Sequence, residues 1–252
     1  MRPENNETVF DWIRNGRVEK QPGGNDSKAF FVSNLIPPIF NGYIRILGHI
    51  NACYNHIDNP LSPSENAILG IPQCEPLRSF VQRRRTESLG DRIRWKELAE
   101  FLNVPFTPEI CAEWFRQKLE DPWCWSRFLC GSIDGRRKEC IALVSILTRV
   151  TNDSDCFFRF SDIPFYVKAR ENEPKSFTGR LNEVCAFQQD KKLDFEYWWP
   201  PDHSWCVCSD YDLSVTIVAG NEQLTSALLA NDILECIQAT AQTRVDPFVP
   251  MP

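Results

Sequence analysis

The sequence predicts an α+β fold, an antiparallel or mixed sheet with helices packed on it. Two observations predict this class. Residues 93–119 carry apolar side chains at i, i+3 and i+4 spacing, which is typical of helices. After residue 155 the pattern changes to short aromatic and β-branched runs separated by turn residues, which is typical of strands. The composition, 42% hydrophobic and 25% charged among 252 residues, is that of a globular protein.

The pattern of polar and apolar stretches predicts one main domain. Residues 1–28 are polar around Gly23-Gly24 and are expected to form a flexible N-terminal arm, from which Phe10, Trp12 and Ile13 dock. Residues 29–245 form a single α+β domain, with a loop-rich, proline-containing insertion at about 56–90. The proline-rich residues 246–252 are expected to be a frayed tail.

The first half of the domain is predicted to contain two strands and three helices. The strands are 30–32 and 43–47, bounded by Pro or Gly. A helix follows Asp91 as N-cap, and a second begins at Thr107 with Pro108 at the first helical position. Residues 139–150 are apolar nearly all round, which predicts a buried helix.

The second half is predicted to be mostly strands, and it contains one clear hairpin. Pro200-Pro201-Asp202-His203 has turn chemistry and joins the predicted strands 195–199 and 205–209. Asn221 is expected to cap a helix that carries Leu224, Leu228 and Leu229. The remaining predicted strands are 156–160, 165–168, 215–218 and 234–240.

Charge and hydropathy exclude two classes of partner. Asp+Glu outnumber Lys+Arg by 34 to 28, a net charge of −6, so an acidic surface would repel nucleic-acid phosphates. The basic run Arg83-Arg84-Arg85 is interpreted as a solvated loop or a docking patch for an acidic partner. No window approaches the ~20 apolar residues that a membrane helix needs, and residues 1–7 lack an apolar leader. We therefore expect a cytoplasmic protein.

The eleven cysteines are expected to be reduced thiols. Their number is odd, no Cys-x-x-Cys pair occurs, and most of them lie in apolar runs. Buried cysteine behaves as a small apolar side chain, and a reducing cytoplasm keeps it so. The cysteines therefore predict packing roles.

Two clusters could hold a metal ion. His49, Cys53 and His56 would share a helix face at a spacing that suits zinc, or they lie in a polar loop without chemistry. Asp210 and Asp212 would point to one side of an extended strand and could bind Mg²⁺ or Mn²⁺, or simply end a strand.

The position of Asp202 separates it from that pair. A strand of five or six residues between them spans roughly 15–20 Å, so Asp202, Asp210 and Asp212 cannot share one small site. We therefore predict that Asp202 forms the turn by capping the amide of residue 204 or 205. Trp198, Trp199 and Trp205 present either a face for stacking a ligand or core packing.

No nucleophile elbow, phosphate-binding loop or dinucleotide-binding glycine pattern occurs in the sequence. No cofactor is therefore predicted, and no catalytic residue is assigned.

Residues 197–213 carry a resemblance. Their sequence, YWWPPDHSWCVCSDYDL, resembles the C-terminal "WWP-x-D-x-x-W-x-V-x-x-D-x-D" segment of a group of uncharacterised bacterial proteins. In that group the segment precedes a "T-x-V-x-G" strand and a Leu-rich helix, to which residues 216–220 and 224–229 are similar. The resemblance implies a cytoplasmic bacterial protein and brings no activity with it.

The leading functional hypothesis is a non-catalytic protein-binding module, such as an immunity-type or adaptor protein. Its predicted binding residues are Asp210, Asp212, Trp198 and His203. The alternative is a metal-dependent hydrolase or transferase that uses the region of Asp202, His203, Asp210 and Asp212. The sequence predicts no oligomeric state.

Overall fold

A computed structural model describes most of the chain and divides it into two compact units. The described residues are 1–19, 29–48, 50–52, 80, 83–84, 92–119, 128–130, 138–151, 154–160, 174–191, 195–210, 215–246 and 249–252. The first unit comprises Met1–Gly48 and Ser132–Asp246, and the second comprises His49–Gly131 and Pro247–Pro252. Residues 29–245, which were predicted to form a single domain, are distributed over both units.

The described elements confirm the α+β class. The strands in chain order are β1 Arg2–Glu4, β2 Gly42–Leu47, β3 Ile50–Ala52, β4 Arg92–Ile93, β5 Phe128–Cys130, β6 Asp155–Phe160, β7 Ser176–Arg180, β8 Phe195–Trp199, β9 Cys206–Asp210, β10 Val215–Gly220 and β11 Glu235–Ala239. The helices are α1 Asp11–Gly16, α2 Trp95–Leu102, α3 Ala112–Lys118, α4 Lys138–Thr151, α5 Val184–Lys191 and α6 Glu222–Leu229.

The first unit is built on an antiparallel sheet of eight described strands, in the order β1-β7-β6-β8-β9-β10-β2-β11. The predicted hairpin is confirmed as β8 and β9, and β2, β6, β10 and β11 also match predicted strands. Residues 30–32 are not a strand: Phe31 forms a single bridge with Arg244, and Val32–Asn34 is a 3-10 turn. Predicted strand 165–168 lies outside the described residues.

One face of this sheet is an apolar core covered by helices. Directly paired side chains form a row across six strands: Phe177, Phe158, Trp198, Val207, Val218 and Ile44. Buried residues of α4, α6 and the start of α5 join this row in one cluster. The predicted helix 139–150 is confirmed as α4, and most of it is buried, but Ile141, Ser145 and Arg149 form an exposed stripe along it.

The other face carries buried polar groups among aromatic rings. The adjacent row is Ser176, Arg159, Tyr197, Cys208, Ile217 and Arg45. Arg159 is buried, binds Glu7 at 2.6 Å and lies over the Phe10 ring at 4.5 Å. Burial raises the pKa of Tyr197 well above its usual value, so its hydroxyl stays protonated and donates to the Leu35 carbonyl. These contacts place the N-terminal residues on this face.

The N-terminal residues are therefore part of the fold where the sequence predicted a flexible arm. β1 pairs with β7 at the edge of the sheet, and Phe10 and Ile13 are buried. Arg17 on the same segment donates to the Tyr197 hydroxyl at 3.0 Å. The docking of Phe10 and Ile13 was predicted, whereas the pairing of β1 was not, because the polar segment Arg2–Glu4 gives no strand pattern. Residues 20–28 lie outside the described part.

The second unit contains the small sheet β4-β3-β5 together with α2 and α3. The rings of Trp95 and Phe115 lie 5.4 Å apart between the two helices. Arg84 is buried and ion-paired with Glu97, so this residue of the basic run is not solvated. Arg83 lies over the ring of Phe80 at 5.7 Å.

Three boundary predictions in this unit need correction. Helix α2 begins at Trp95 with Arg94 as N-cap, and not with Asp91. Helix α3 begins at Ala112 with Cys111 as N-cap, and not at Thr107. The Thr107 carbonyl instead accepts from the Ile110 amide at 3.0 Å, because Pro108 closes a separate turn. The tail is anchored where it is described: the buried Val249 accepts a hydrogen bond from the Trp114 indole at 2.7 Å.

Candidate functional site

The turn between β8 and β9 is held by two short-range hydrogen bonds. The His203 amide donates to the Pro200 carbonyl at 3.0 Å, and Asp202 Oδ1 accepts from the Ser204 amide at 3.0 Å. The predicted role of Asp202 as a turn former is thereby confirmed. His203 closes the turn with φ of 54°, in the left-handed region that side chains other than glycine seldom adopt.

The His203 ring is positioned by the N-terminal helix. It stacks on the Trp12 ring of α1, with centroids 4.1 Å apart and planes 12° apart. Trp12 is in turn held edge-on by Phe40 at 6.3 Å and Trp199 at 6.5 Å. Burial lowers the pKa of His203, with a smaller opposing effect from the Asp202 carboxylate. At neutral pH the imidazole is therefore neutral and offers one donor and one acceptor.

A concave cavity of about 220 Å³ opens beside this turn. Its lining residues are Ile39, Phe40, Asn41, His203, Ser204, Gly220 and Asn221. We call this cavity, together with the exposed Asp202 next to it, the hairpin-end surface. Ile39 is 64% exposed, the largest exposed fraction among the big apolar side chains of the described residues.

Besides the turn, the cavity is lined by residues 39–41 before β2 and by residues 220–221 at the start of α6, and local hydrogen bonds hold both segments. The Tyr43 hydroxyl accepts from the Phe40 amide at 3.3 Å and donates to the Pro37 carbonyl at 3.2 Å, which holds the segment before β2. Asn221 caps α6, as predicted, by accepting from the Leu224 amide at 2.9 Å. A Cβ at Gly220 would lie 2.7 Å from Cδ2 of Leu224, so a larger residue here would require the Leu224 side chain of α6 to shift.

The other predicted binding residues do not join His203. Trp198 is 1% exposed on the helix-covered face, and its indole donates to the Phe195 carbonyl at 3.3 Å, so its ring is not available to a ligand. Trp199 and Trp205 are buried as well. Asp210 is half-buried at the far end of β9, a strand length away from His203. Asp212 lies outside the described residues.

The structure supports no metal site among the residues that it describes. His49, Cys53 and His56 lie outside the described residues. Within the described ranges, no group of three or more His, Cys, Asp or Glu side chains is arranged to hold a metal ion. Among the same residues, no helix has the length and apolar character needed to cross a membrane.

Sequence reasoning missed most of the hairpin-end surface. Trp12 was recognised only as a docking residue, and neither Ile39 nor Phe40 was singled out. Their positions depend on pairing β2 with β10 and on docking α1 against the β8–β9 hairpin, which are contacts between residues far apart in sequence. The one local signal was Pro200-Pro201-Asp202-His203, whose turn chemistry placed His203 at a strand end.

Comparisons with known proteins leave the site to be interpreted from its own geometry. No family model, curated protein or solved structure matches this chain.

Proposed function

We propose that this protein is a non-catalytic protein-binding module, of the immunity or adaptor kind, and that its partner docks a basic segment on the hairpin-end surface. The observation that carries the proposal is the exposed Ile39 side chain beside a concave cavity. An exposed apolar side chain at the edge of a cavity favours binding, because a partner that covers it removes apolar area from water.

The charges around the cavity favour a cationic partner. Asp202 and Glu222 are exposed and adjoin cavity residues in the sequence. Among the described residues the lining contains no Lys or Arg, and burial lowers the pKa of its His203, which is therefore neutral at neutral pH. The net charge of −6 has the same sign. Complementary charge speeds the encounter of two proteins and suppresses wrong partners, so lysine and arginine on the partner fit this surface.

His203 gives the surface a fixed polar contact. A non-glycine residue at positive φ costs free energy that the surrounding structure must offset, and such residues cluster at functional positions. Here the stacking on Trp12 keeps the imidazole in one orientation. A side chain that is already ordered loses little rotamer entropy when a partner binds.

The proposal retains His203 from the predicted binding residues and moves the site away from Asp210 and Trp198. The alternative hydrolase or transferase gains no supporting contact, since Asp202 and Asp210 lie at opposite ends of β9. We also propose a cytoplasmic location, in keeping with the thiol state of the described cysteines, which include buried Cys156, Cys206 and Cys208.

Site-specific photo-cross-linking tests the proposal. A photoreactive amino acid at position 39 is expected to give a discrete adduct in a cell lysate, and less of this adduct should form when the salt concentration is raised before irradiation, because the contact is charged. The matched control is position 141, whose isoleucine is similarly exposed, at 58%, on helix α4. Equal adducts at both positions, or none at position 39, would overturn the proposal.

A further inference from the structure

Two cysteine thiols meet where helices α4 and α5 begin. Cys140 lies in the first turn of α4 and Cys185 in the first turn of α5. Their Sγ atoms are 3.2 Å apart, although 45 residues separate them in the sequence. A disulfide needs about 2.0 Å between the sulfur atoms, so a small side-chain adjustment would bring the pair to bonding distance.

The two thiols differ in access and in environment. Cys140 is fully buried and its thiol lies 3.7 Å from Oε1 of Gln188, whereas Cys185 is partly exposed. A hydrogen bond from Cys140 lowers the pKa of Cys185, with a smaller contribution from the Cys185 backbone amide, against the opposing effect of burial. Cys185 is thus the thiol that both reaches solvent and forms a thiolate more readily.

Other described cysteines show the opposite tendency. Burial raises the pKa of Cys156 to about 12 and raises that of Cys206 and Cys208 as well. Such thiols stay protonated and are poor nucleophiles. Reactivity towards an oxidant is therefore higher at the Cys140–Cys185 contact than at Cys156, Cys206 or Cys208.

We propose that Cys140 and Cys185 are a reversible oxidation site, at which a hydroperoxide converts the two thiols to a disulfide. The Cys185 thiolate attacks one peroxide oxygen, the O–O bond breaks, and hydroxide leaves. The resulting sulfenic acid is attacked by the Cys140 sulfur, and the S–O bond breaks as the disulfide forms. The Cys140 proton and the departing hydroxyl leave as water. In total, two thiols lose two electrons and hydrogen peroxide becomes two molecules of water.

The disulfide would link α4 to α5 through two residues that are 45 positions apart in the sequence. Cross-linking residues so far apart restricts the unfolded chain, so the oxidised protein is expected to unfold at a higher temperature than the reduced protein. A dithiol reductant restores both thiols.

The test is to treat the full chain with hydrogen peroxide. Thiol titration is expected to fall by two from the eleven of the sequence, with a mass loss of two hydrogens and one cross-linked peptide pair that contains Cys140 and Cys185. In Cys140→Ser, dimedone should trap a sulfenic acid at Cys185. Cys185→Ser should form no disulfide.

Cys236→Ser is the control, because Cys236 is also partly exposed but lies on β11. This variant should oxidise as the wild-type chain does. An unchanged thiol count, or a disulfide mapped to other cysteines, would overturn the proposal, and the wild-type peptide map decides even if a variant fails to fold.

Discussion

The two faces of the large sheet are closed in different ways. The helix-covered face is packed with apolar side chains such as Phe158, Trp198 and Val218, joined in one buried cluster. The opposite face buries Arg159 and Tyr197, and it is covered in part by a short N-terminal segment held through Glu7 and Arg17. The first face depends on area removed from water, and the second on specific polar contacts among aromatic rings.

This difference explains where the candidate site lies. The segment that covers the polar face continues as α1 and brings Trp12 to the β8–β9 turn, where it holds His203. The apolar face contributes buried Trp205 just after the turn. The hairpin-end surface therefore borders both faces. We expect substitutions towards the apolar face to affect stability most, and substitution of the exposed Ile39 to affect binding.

The largest effect is expected in the apolar face. Trp205→Ala should lower the free energy of unfolding by roughly 3–5 kcal/mol, because it leaves a large cavity among packed side chains. Trp205→Phe should cost much less, since the ring is largely replaced and the indole N–H has no hydrogen-bond partner among the described residues. Urea denaturation measures both values. An equally stable Trp205→Ala variant would contradict the buried position of this side chain.

A smaller effect is expected where the N-terminal segment is anchored. Glu7→Gln should cost roughly 1–2 kcal/mol, because it leaves the buried Arg159 guanidinium with a neutral partner. Asp155→Asn is the matched control: it breaks the Arg2–Asp155 ion pair, whose members are both well exposed, and should cost below about 0.5 kcal/mol. Equal costs in thermal or urea unfolding would show that the N-terminal segment is not held through Arg159.

A smaller effect on stability is expected in the turn between β8 and β9. Asp202→Ala removes the acceptor for the Ser204 amide and should cost about 0.5–1 kcal/mol. Asp202→Asn retains that acceptor oxygen and should leave stability near that of the wild type. If both variants unfold at the same urea concentration, the carboxylate does not form the turn through this hydrogen bond.

The smallest effect is a pH dependence from His203. Burial lowers the pKa of His203 in the folded state. The stability that this shift contributes is fully present above about pH 6.5 and is lost as the pH falls through the lowered pKa. Unfolding measured at pH 7.5 and 5.5 should show a larger loss for the wild type than for His203→Asn. Asparagine tolerates the same left-handed backbone but has no ring to titrate. An identical loss in both proteins would contradict the shift.

The sequence predicted the parts of the fold that depend on local chemistry. Alternating and aromatic runs located β2, β8, β9 and β10, and Asn221 was recognised as a helix cap. The site was only partly predictable. His203 was indicated by its turn, but its stacking on Trp12 and its proximity to Ile39 depend on contacts between distant segments. Of the two alternatives stated for Trp198, core packing applies; the sequence could not decide between them, because the segments that cover each face of the sheet are distant in sequence.

The central claim, that the exposed Ile39 of the hairpin-end surface serves binding and not stability, is tested most directly by affinity. The partner captured at position 39 is titrated calorimetrically with Ile39→Ser and Ile141→Ser, whose side chains are similarly exposed. We predict that Ile39→Ser weakens binding at least about tenfold, equivalent to about 1.4 kcal/mol, while both variants unfold as the wild type does. Equal affinities for the two variants would contradict the claim.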